Sequence, residues 1–324
     1  MASPAVKPAA ALLGRESVLP AVYGPDERAM IDRLARVGPP AEAEILLGTW
    51  GMPRLDEPFF TAAPGVRAVF YAAGSVRGFV TDAVWRRGVR VASAWAGNAV
   101  PVADYTVAVV LFSLKWGWRM AAAMRGQAPM PSREEAPGTY GSTIGLVSLG
   151  AAGRLVAERL RHFELRVLAY DPLVSDEEAA RLGVVRTGLE DLFERCDVVS
   201  LHAPLLPETR GMVTGAHLAA MKAGATLINT ARGPVVREQE LVDVLRRRPD
   251  LQAVLDVTDP EPPAAGSPLR TLPNVVLTPH VAGSIGSERR RLGRMMTEEL
   301  ERFLRGEPLR WEITEDRIAT MAMP

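Results

Sequence analysis

The sequence predicts an α/β protein of two domains, each built around a parallel sheet. The chain has 324 residues, and at roughly 100 to 200 residues per domain this length favours two domains over one. Short aliphatic or β-branched segments alternate with helix-length stretches, which is the pattern of strands and helices in a parallel sheet. These segments fall into two separate series along the chain. We therefore expect two sheets.

The first series contains three strand-like segments, at residues 44–48, 66–71 and 89–92. The second series contains six, at residues 144–149, 166–170, 197–200, 225–229, 252–256 and 274–278. Six strands in alternation with helices describe a doubly wound sheet. Between the two series, residues 102–124 carry apolar side chains at helical spacing. A final helix follows Ser284 or Ser287, with Gly306 as its stop signal, and we expect it to return to the first domain.

The composition excludes several classes of protein. Hydrophobic residues make up 48% of the chain and charged residues 23%, values near the average for globular proteins, which excludes disordered, collagen-like and coiled-coil chains. Lys plus Arg and Asp plus Glu both number 38, so the formal net charge is +0. This balance argues against a dedicated nucleic-acid-binding protein or a polybasic membrane-surface protein. A charged ligand must then be held by local groups.

The single cysteine and the N-terminal residues indicate the cytoplasm. Cys196 is the only cysteine, so the chain has no intrachain disulfide and no thiolate metal site, and we expect it to fill space in a reducing compartment. Pro4, Pro8 and Arg15 interrupt any apolar segment long enough for a signal peptide. The longest apolar stretch, Tyr105 to Leu114, is far shorter than the roughly 20 residues that span a bilayer. We expect it to form a buried helix.

A turn of small residues follows the first strand of the second series. Residues 144–153 read IGLVSLGAAG. A dinucleotide-binding turn reads G-x-G-x-x-G, because its glycines allow a tight turn, close approach to a pyrophosphate and close helix–strand packing. Here Ser148 replaces the first glycine, while Gly150 and Gly153 remain. The alternative is a strand–helix turn that binds no ligand.

Asp171 follows the next strand, at the distance where an acidic side chain can accept hydrogen bonds from the hydroxyls of an adenosine ribose. Its carboxylate would repel a 2′-phosphate, and the neighbouring Pro172 and Leu173 offer no cation to bind one. The sequence thus favours NAD over NADP. The alternative is that Asp171 caps a helix or a turn.

Three more charged side chains follow later strands. Arg232, in INTARGPVV, emerges at the carboxyl edge of a strand, where open α/β sheets bind ligands, and its guanidinium can hold a carboxylate through two parallel hydrogen bonds. Glu261 lies between two prolines in DVTDPEPP, and His280 follows Pro279 in LTPHVAGS. A carboxylate beside an imidazole favours its protonated form and fixes its orientation, which makes the histidine a proton donor near neutral pH. A surface arginine and a structural histidine are the alternatives.

Together, the motifs SLGAAG, AYDP, LHAPLLPETRGMV, INTARGPVV, DVTDPEPP and LTPHVAGS closely resemble the NAD-dependent D-isomer-specific 2-hydroxyacid dehydrogenases over residues 66–306. The resemblance implies a Rossmann cofactor domain, residues 102–292, inserted in a smaller flavodoxin-like substrate domain, residues 1–101 plus 293–324. It also implies reversible hydride transfer between NAD(H) and a small 2-oxo or 2-hydroxy acid.

The same resemblance implies a role for individual residues. Arg232 would bind the substrate carboxylate and keto oxygen, His280 would be the acid/base, and Glu261 would support His280. The implied cofactor-binding residues are Ser148, Gly150, Ala151, Ala152, Asp171, His202, Thr230, Ala231, Asp256 and His280. Asp256 would lie near the nicotinamide carboxamide, and His202, in an H-x-P element, is positional rather than catalytic. The substrate-binding candidates are Trp50, Gly74, Ser75, Arg77 and Arg232, and no metal is implied.

Several residues bear on specificity and assembly. Ser148 stands where the family usually has glycine, which bears on cofactor affinity, and Asp104 stands where it commonly has glutamate, which bears on the hinge or the cofactor pocket. Arg77 either points inward, to pair with a second acidic group of the substrate, or faces solvent. The segment WGWRM, residues 116–120, lies where this family usually forms its dimer contact, so we expect a homodimer.

Two alternative functions remain open. Phosphite dehydrogenases share the arginine, glutamate and histidine, so oxidation of phosphite or a phosphonate is an enzymatic alternative, whereas formate dehydrogenases differ by a glutamine at the position of Glu261. The second alternative is an NADH-sensing binding protein, as in the family's co-repressor branch, although no added peptide-binding segment is evident. We expect neither a nucleic acid nor a membrane as a partner.

Overall fold

The chain folds into two compact units. The computed structural model describes residues 7–323, so Pro4, used above in the argument on the N-terminus, lies outside the described residues. Unit 1 consists of the described residues up to Asn98 and those from Ser284 onward, and unit 2 is Ala99–Gly283. The chain thus passes from one unit to the other between residues 98 and 99 and between residues 283 and 284. We expected these divisions between residues 101 and 102 and between residues 292 and 293.

The elements run in the following order. The part of the chain that begins in unit 1 contains β1 (Ala9–Leu13), α1 (Leu19–Val22), α2 (Pro25–Leu34), β2 (Arg36–Val37), β3 (Ile45–Gly48), α3 (Glu57–Ala62), β4 (Ala68–Tyr71), α4 (Asp82–Arg86), β5 (Arg90–Ser93) and α5 (Trp95–Leu114). Unit 2 continues with α6 (Gly117–Met124), β6 (Thr143–Val147), α7 (Ala151–Leu160), β7 (Arg166–Tyr170), α8 (Asp176–Arg181), β8 (Val185–Arg186), α9 (Leu189–Arg195), β9 (Val198–Leu201), α10 (Gly215–Ala220), β10 (Thr226–Asn229), α11 (Glu238–Arg247), β11 (Gln252–Leu255) and β12 (Val275–Leu277). Unit 1 then resumes with α12 (Glu288–Leu304), β13 (Glu312–Ile313) and α13 (Glu315–Ile318).

Unit 1 has a six-stranded sheet in the order β13-β5-β4-β3-β1-β2. Its first five strands pair in parallel in the flavodoxin-like order 2-1-3-4-5, and β13 adds an antiparallel edge. Alternate residues of a strand point to opposite faces. Ile45 and Leu47 accordingly join one apolar cluster with Leu292 and Met296 of α12, whereas Leu46 joins the cluster on the other face. Because α12 packs here along its length, the whole helix belongs to unit 1.

Unit 2 has a seven-stranded parallel sheet in the order β12-β11-β10-β9-β6-β7-β8. Six of these strands, β8-β7-β6-β9-β10-β11, follow the doubly wound order 3-2-1-4-5-6, with the switch between β6 and β9, and β12 extends the other edge beyond β11. Its core includes Ile144, Leu146, Val198 and Ile228, all essentially buried. The predicted fold class is confirmed. Cys196 is buried and free, and burial raises the pKa of its thiol to about 12, as expected for a cysteine that fills space.

The sequence prediction missed four strands and joined two helices. β2, β8 and β13 have two residues each, and β1 is rich in alanine, so none shows a strong strand pattern. The helix expected over 102–124 is two helices, because Trp116 adopts a left-handed conformation with φ 49° between α5 and α6. The Trp116 indole Nε1 donates to the carbonyl oxygen of Gly224 at 3.0 Å. This contact holds the break in place.

Helix α5 is twice as long as the apolar stretch identified in the sequence. It has Pro101 inside it, a residue that usually marks the first turn of a helix. Among the described residues, α5 is the one helix whose length and apolar composition would allow it to cross a membrane. Half of an 18-residue apolar segment of this helix is buried inside the protein, as in a core helix.

Candidate active site

The loop that follows β10 carries Arg232, and the side chain of Asn229 shapes it. The Asn229 amide nitrogen Nδ2 donates to the carbonyl oxygen of Arg232 at 3.0 Å, and its oxygen Oδ1 accepts from the backbone N–H of Ala231 at 3.0 Å. One guanidinium nitrogen of Arg232 donates to the carbonyl oxygen of Ala231 at 2.8 Å. Sequence reasoning did not single out Asn229, although an asparagine at the end of a strand is a recognisable turn-forming residue.

Arg232 is partly buried, and none of the described carboxylates is paired with it. Burial lowers the pKa of its guanidinium, and the negative charge of Glu261 acts in the opposite direction. Among the described residues, Arg232 forms no ion pair by the usual distance criterion. A desolvated cation with no fixed partner favours binding of an anion.

Gly233 allows the Arg232 loop to lie against the loop that follows β11. A Cβ atom at Gly233 would fall 2.1 Å from the carbonyl oxygen and 2.2 Å from the carbonyl carbon of Thr258. No side chain fits in that space. The glycine is therefore required for close approach of two backbone segments, and this approach brings the loops of Arg232 and Glu261 together.

His280 and Glu261 form a short contact. The imidazole Nδ1 of His280 lies 2.6 Å from Oε1 of Glu261, and both side chains are partly exposed. The backbone of His280 is left-handed, with φ 55°, and its N–H donates to the carbonyl oxygens of Asp256 and Thr278. Because Glu261 binds Nδ1, the second ring nitrogen, Nε2, remains available for a substrate. The structure brings together the pair that the sequence could only suggest.

The buried carboxylate of Asp256 anchors the His280 loop. Its Oδ1 accepts hydrogen bonds from the Thr278 hydroxyl at 2.6 Å and from the backbone N–H of Val281 at 2.8 Å. Its Oδ2 accepts from the N–H of Ala282 at 2.9 Å. Asp256 was expected beside the nicotinamide carboxamide. In the structure its carboxylate holds the Thr278 side chain before His280 and the backbone of Val281 and Ala282 after it.

Tyr105 of α5 extends this network. Its hydroxyl lies 3.0 Å from Oγ1 of Thr278, and burial raises the pKa of that phenol. Neither Tyr105 nor Thr278 stood out in the sequence, because each is an ordinary residue of a helix or a strand end. Their contact appears only when α5 and the end of β12 are brought together.

A cavity of about 500 Å³ lies beside the His280–Glu261 pair. Asp256, Thr258 and Thr278 contribute to its wall, together with Arg270. The Arg270 guanidinium is engaged by the carbonyl oxygens of Pro263 and Ala264. The Arg270 side chain thus ties down the loop that carries Glu261.

The turn after β6 is made of small residues and leads directly into helix α7. Ser148 has a left-handed backbone with φ 78°, the conformation for which glycine is the usual residue. A Cβ atom at Gly153 would fall 2.2 Å from the carbonyl oxygen of Ser148, whereas one at Gly150 would meet only the Ser148 hydroxyl, 4.0 Å away. Gly150 is the N-cap residue of the ten-residue helix α7, and it has no side chain that could bind the first N–H groups of the helix. The N-terminus of α7 therefore combines free space with backbone N–H groups, a combination that suits a phosphate.

Asp171 lies at the end of β7 with a nearly buried carboxylate. Its Oδ2 accepts from the N–H of Leu149 at 2.7 Å and from the Ser148 hydroxyl at 3.2 Å, and its Oδ1 accepts from the N–H of Leu173 at 2.9 Å. Asp171 therefore caps a turn, which is one of the two roles that the sequence allowed for it. A carboxylate has about four acceptor positions, so a further one remains for a ribose hydroxyl.

The ring nitrogens of His202 are buried, and a Cβ atom at Gly153 of this turn would fall 3.6 Å from the His202 Cβ. Burial lowers the pKa of its imidazole to about 4, so the ring is neutral at neutral pH. Neither ring nitrogen has a hydrogen-bond partner among the described residues, an arrangement that native interiors rarely leave uncompensated. Thr230, another expected cofactor contact, lies with its hydroxyl 3.3 Å from that of Thr106. These residues fit a dinucleotide.

In unit 1, the loop after β4 contains Gly74, Ser75 and Arg77. One guanidinium nitrogen of Arg77 donates to the carbonyl oxygens of Ala319 at 3.3 Å and Met321 at 3.1 Å. Arg77 was expected either to face a second acidic group of the substrate or to face solvent. The structure instead places its guanidinium against a later segment of the same unit.

Trp50 and Asp104 also have contacts within their own units. Trp50, which follows β3, packs against both apolar clusters of unit 1, and the guanidinium of Arg289 lies 5.7 Å from its ring centroid. The Asp104 carboxylate lies 3.4 Å from the guanidinium of Arg159 on α7. The shorter acid at position 104 therefore joins helices α5 and α7 at the surface of unit 2.

The fold and these contacts define a dinucleotide-binding α/β protein with a partly buried arginine and a Glu–His pair at one sheet edge. Residues 109–282 match the family model described as D-isomer specific 2-hydroxyacid dehydrogenase, NAD binding domain. The chain therefore belongs to the D-isomer specific 2-hydroxyacid dehydrogenase family and carries its NAD-binding domain.

Two relatives illustrate the range of the family. The chain is 34% identical over 297 residues to D-3-phosphoglycerate dehydrogenase of Mycobacterium tuberculosis, a match that covers 92% of this chain and 55% of the relative. It is 36% identical over 256 residues to (S)-sulfolactate dehydrogenase of Chromohalobacter salexigens, covering 78% of this chain and 82% of the relative. The chain thus spans about half the length of the phosphoglycerate dehydrogenases that it matches.

Solved structures show the same architecture. The TT0316 protein of Thermus thermophilus superposes with a TM-score of 0.72 at 31% identity, covering 94% of this chain and 100% of that one. The apo form of Rhodotorula graminis D-mandelate dehydrogenase has a TM-score of 0.78 at 24% identity, covering 95% and 98% of the two chains. The second similarity concerns the fold alone.

Proposed function

We propose that this chain catalyses reversible hydride transfer between NAD(H) and a small 2-oxo or 2-hydroxy acid of the D configuration. The observation that carries the proposal is the 2.6 Å contact between His280 Nδ1 and Glu261 Oε1, and the Glu261 loop lies against the loop of the partly buried Arg232. A proton donor, a carboxylate that orients it and a cation for an anionic substrate are the three groups that this reaction needs from the protein.

Each group has a defined task. Arg232 binds the substrate carboxylate, polarises the carbonyl and holds the acid in position. His280 donates a proton from Nε2 to the carbonyl oxygen during reduction and accepts it back during oxidation. Glu261 holds Nδ1, which fixes the ring orientation and stabilises the imidazolium. When bound, the nicotinamide supplies or accepts the hydride. The cofactor would be held by the turn at Gly150, by Asp171 and by the residues around His202.

The preference for NAD over NADP rests on Asp171. A nearly buried carboxylate at the end of β7 can accept a hydrogen bond from a ribose hydroxyl and repels a 2′-phosphate. The two residues after it, Pro172 and Leu173, bring no positive charge, and Arg154 on α7 is paired with Glu178 at 2.7 Å. We expect a much lower Kd for NADH than for NADPH.

The substrate class follows from the family and from Arg232. The relatives named above act on phosphoglycerate and on sulfolactate, both of which are 2-hydroxy acids or close analogues with a second anionic group. We expect this chain to take a small anionic 2-oxo acid, and a panel of such acids decides which one. Phosphite with NAD belongs in the same panel, because the Arg, Glu and His set does not discriminate against it.

The test is an NADH-oxidation assay with glyoxylate, hydroxypyruvate, its phosphate ester, sulfopyruvate, phenylpyruvate and dicarboxylic 2-oxo acids. Phosphite plus NAD is assayed in the opposite direction. Turnover of at least one 2-oxo acid, lost in Arg232→Ala and retained in the exposed control Arg247→Ala, supports the proposal. NADH binding without turnover of any acid would overturn it in favour of a sensor, and turnover of phosphite alone would indicate the other dehydrogenase class.

We also propose a cytoplasmic homodimer. The single buried Cys196 suits a reducing compartment. The α5–α6 region presents a partly exposed Phe112 next to a cavity of about 640 Å³ lined in part by Trp118 and Leu272. Arg119 has buried guanidinium nitrogens without a partner among residues 7–323. Sedimentation analysis tests this proposal, since Trp118→Glu should then produce monomers, while a wild-type chain that sediments as a monomer would exclude the dimer.

A further inference from the structure

A late segment of unit 1 runs along the edge of its sheet towards the loop that follows β4. Strand β13 pairs antiparallel with β5, with Glu312 opposite Ala92. The carboxylate of Glu312 receives two hydrogen bonds from the guanidinium of Arg90, at 2.7 and 2.9 Å. The short helix α13 follows, and the guanidinium of Arg317 lies 4.4 Å from the ring centroid of Trp95. These contacts fix the direction in which the chain continues.

The next residues, 319–322, lie against the β4 loop, and we call them the strap. The Arg77 guanidinium donates to the carbonyl oxygens of Ala319 and Met321, at 3.3 and 3.1 Å. The Ser75 hydroxyl donates to the carbonyl oxygen of Ala322 at 2.6 Å and accepts from the N–H of Arg77 at 3.3 Å. Met321 also packs against the apolar cluster that contains the loop residue Val76. Polar and apolar contacts thus join the strap to the loop.

The loop is held on its other side by Ser93. The Ser93 hydroxyl donates to the carbonyl oxygens of Ala73 and Gly74, at 3.0 and 2.5 Å. The backbone N–H groups of Gly74 and Ser75 have no acceptor among the described residues. The loop therefore has its carbonyl groups and side chains engaged by protein, whereas these two N–H groups are free to bind an anion.

We propose that the strap holds the loop of residues 72–77 in the conformation that binds the substrate carboxylate. Arg77 and Ser75 are then positioning residues that act through the strap, and Arg77 is not a ligand for a second acidic group of the substrate. This inference rests on the proposed function for its kinetic readout only. The contacts themselves predict that loss of the strap loosens the loop whether or not a 2-oxo acid is the substrate.

The kinetic test compares Arg77→Ala, a chain that ends at Ile318, and the combination of the two. Arg86→Ala, which removes an exposed arginine paired with Glu57 in the same unit, is the matched control. Each strap variant should raise KM for every accepted 2-oxo acid by about tenfold, as loss of charge-assisted hydrogen bonds would. We expect kcat within about twofold of wild type, because binding in the ground and transition states weakens equally.

The combined variant decides whether Arg77 acts through the strap. If it does, Arg77→Ala adds nothing to KM once residues 319–322 are absent. Additive effects would overturn the proposal. So would a rise in KM that is confined to substrates with a second acidic group, since Arg77 would then bind substrate directly. Arg77→Lys keeps a charged donor and should restore part of the affinity.

A measurement that needs no substrate separates this inference from the proposed function. Amide hydrogen exchange of the two hydrogen-bonded loop amides, Ala72 and Arg77, should be faster at both positions in the shortened chain and in Arg77→Ala than in wild type, with exchange in unit 2 unchanged as evidence of folding. Unchanged exchange in the loop would overturn the role of the strap. If wild type turns over no 2-oxo acid but loop exchange is faster in the strap variants, the proposed function is wrong and the role of the strap is supported.

Discussion

At the carboxyl edge of the unit 2 sheet, buried side chains hold the functional loops from inside the unit, whereas in unit 1 the β4 loop is held by the buried Ser93 on one side and by a segment far away in the chain on the other. Asn229 binds the backbone of residues 231 and 232, and Asp256 binds the backbone around His280. Ser75 and Arg77 instead bind carbonyl groups 242 to 247 positions later.

The difference separates two requirements. Groups that carry out proton transfer must be held within a fraction of an ångström, and buried, fully hydrogen-bonded anchors provide that precision. A loop that contacts an anion through backbone N–H groups, as we propose for the β4 loop, can be held by a peripheral segment. The unit 2 edge thus has the features of a fixed chemical step, and the unit 1 edge those of an adjustable binding surface.

The largest expected effect tests whether the chemistry lies on the unit 2 edge. His280→Ala should lower kcat by about 10³-fold, the usual range for loss of a general acid, with the Kd for NADH unchanged. Steady-state kinetics and fluorescence titration with NADH measure the two quantities. His162→Ala, at an exposed histidine, is the control. A kcat within about threefold of wild type would remove His280 from the mechanism.

The second prediction concerns the interior anchor. Asp256→Ala leaves the backbone N–H groups of Val281 and Ala282 unpaired, and each unpaired group costs about 1–3 kcal/mol. We expect the free energy of unfolding to fall by about 3 kcal/mol, together with a loss of kcat, as measured by urea denaturation and by the substrate assay. Asp243→Ala, at a partly exposed helix position, should change stability by less than about 0.5 kcal/mol. Equal losses of stability in Asp256→Ala and Asp243→Ala would contradict the distinction between a buried anchor and an exposed acid.

The third prediction concerns the buried His202. Its pKa is about 4 in the folded protein and about 6.5 when unfolded, so the unfolded chain binds a proton first as the pH falls. The folded state is therefore favoured fully above about pH 6.5, and that advantage decreases between about pH 6.5 and 4 by about 3 kcal/mol. Denaturation of wild type and His202→Leu across this range measures the difference. A difference that stays constant with pH would show that His202 is not buried as described.

The smallest effect concerns Tyr105, at the periphery of the Asp256 network. Tyr105→Phe removes one hydroxyl from Thr278 but leaves the Asp256 contacts intact, so we expect a loss of stability of about 1 kcal/mol and a change in kcat of about twofold. Tyr140→Phe, at a highly exposed position, should have no effect on either. A loss as large as that of Asp256→Ala would place Tyr105 among the principal anchors.

Much of unit 2 could be predicted from the sequence. Its strands are short runs of aliphatic residues, and its functional residues follow those strands within a few positions, so the strand pattern already places Arg232, Glu261 and His280 at one sheet edge. The glycine motif predicted the turn at Gly150. What the pattern could not show was the contact distance between His280 and Glu261, or that Asp256 turns its carboxylate to the His280 loop.

Unit 1 was less predictable, for a physical reason. Its edge strands β2 and β13 have two residues each, too few for a periodic pattern, and β1 is alanine-rich. The orientation of Arg77 depends on carbonyl groups of residues 319 and 321, and backbone carbonyls are present in every residue, so no sequence motif marks them. The first division between the units lies inside the continuous helix α5, so no loop marks it in the sequence.

The sequence by itself determined the class of fold, the order of the chemical groups along the chain and the family, since each depends on local periodicity and on residue types at strand ends. The tertiary structure alone decided which of these groups meet. Hydrogen bonds between distant segments, such as Asp256 with the His280 loop and Arg77 with the strap, form only when packing of the apolar cores has brought those segments within bonding distance, and it is packing, not sequence spacing, that sets that distance.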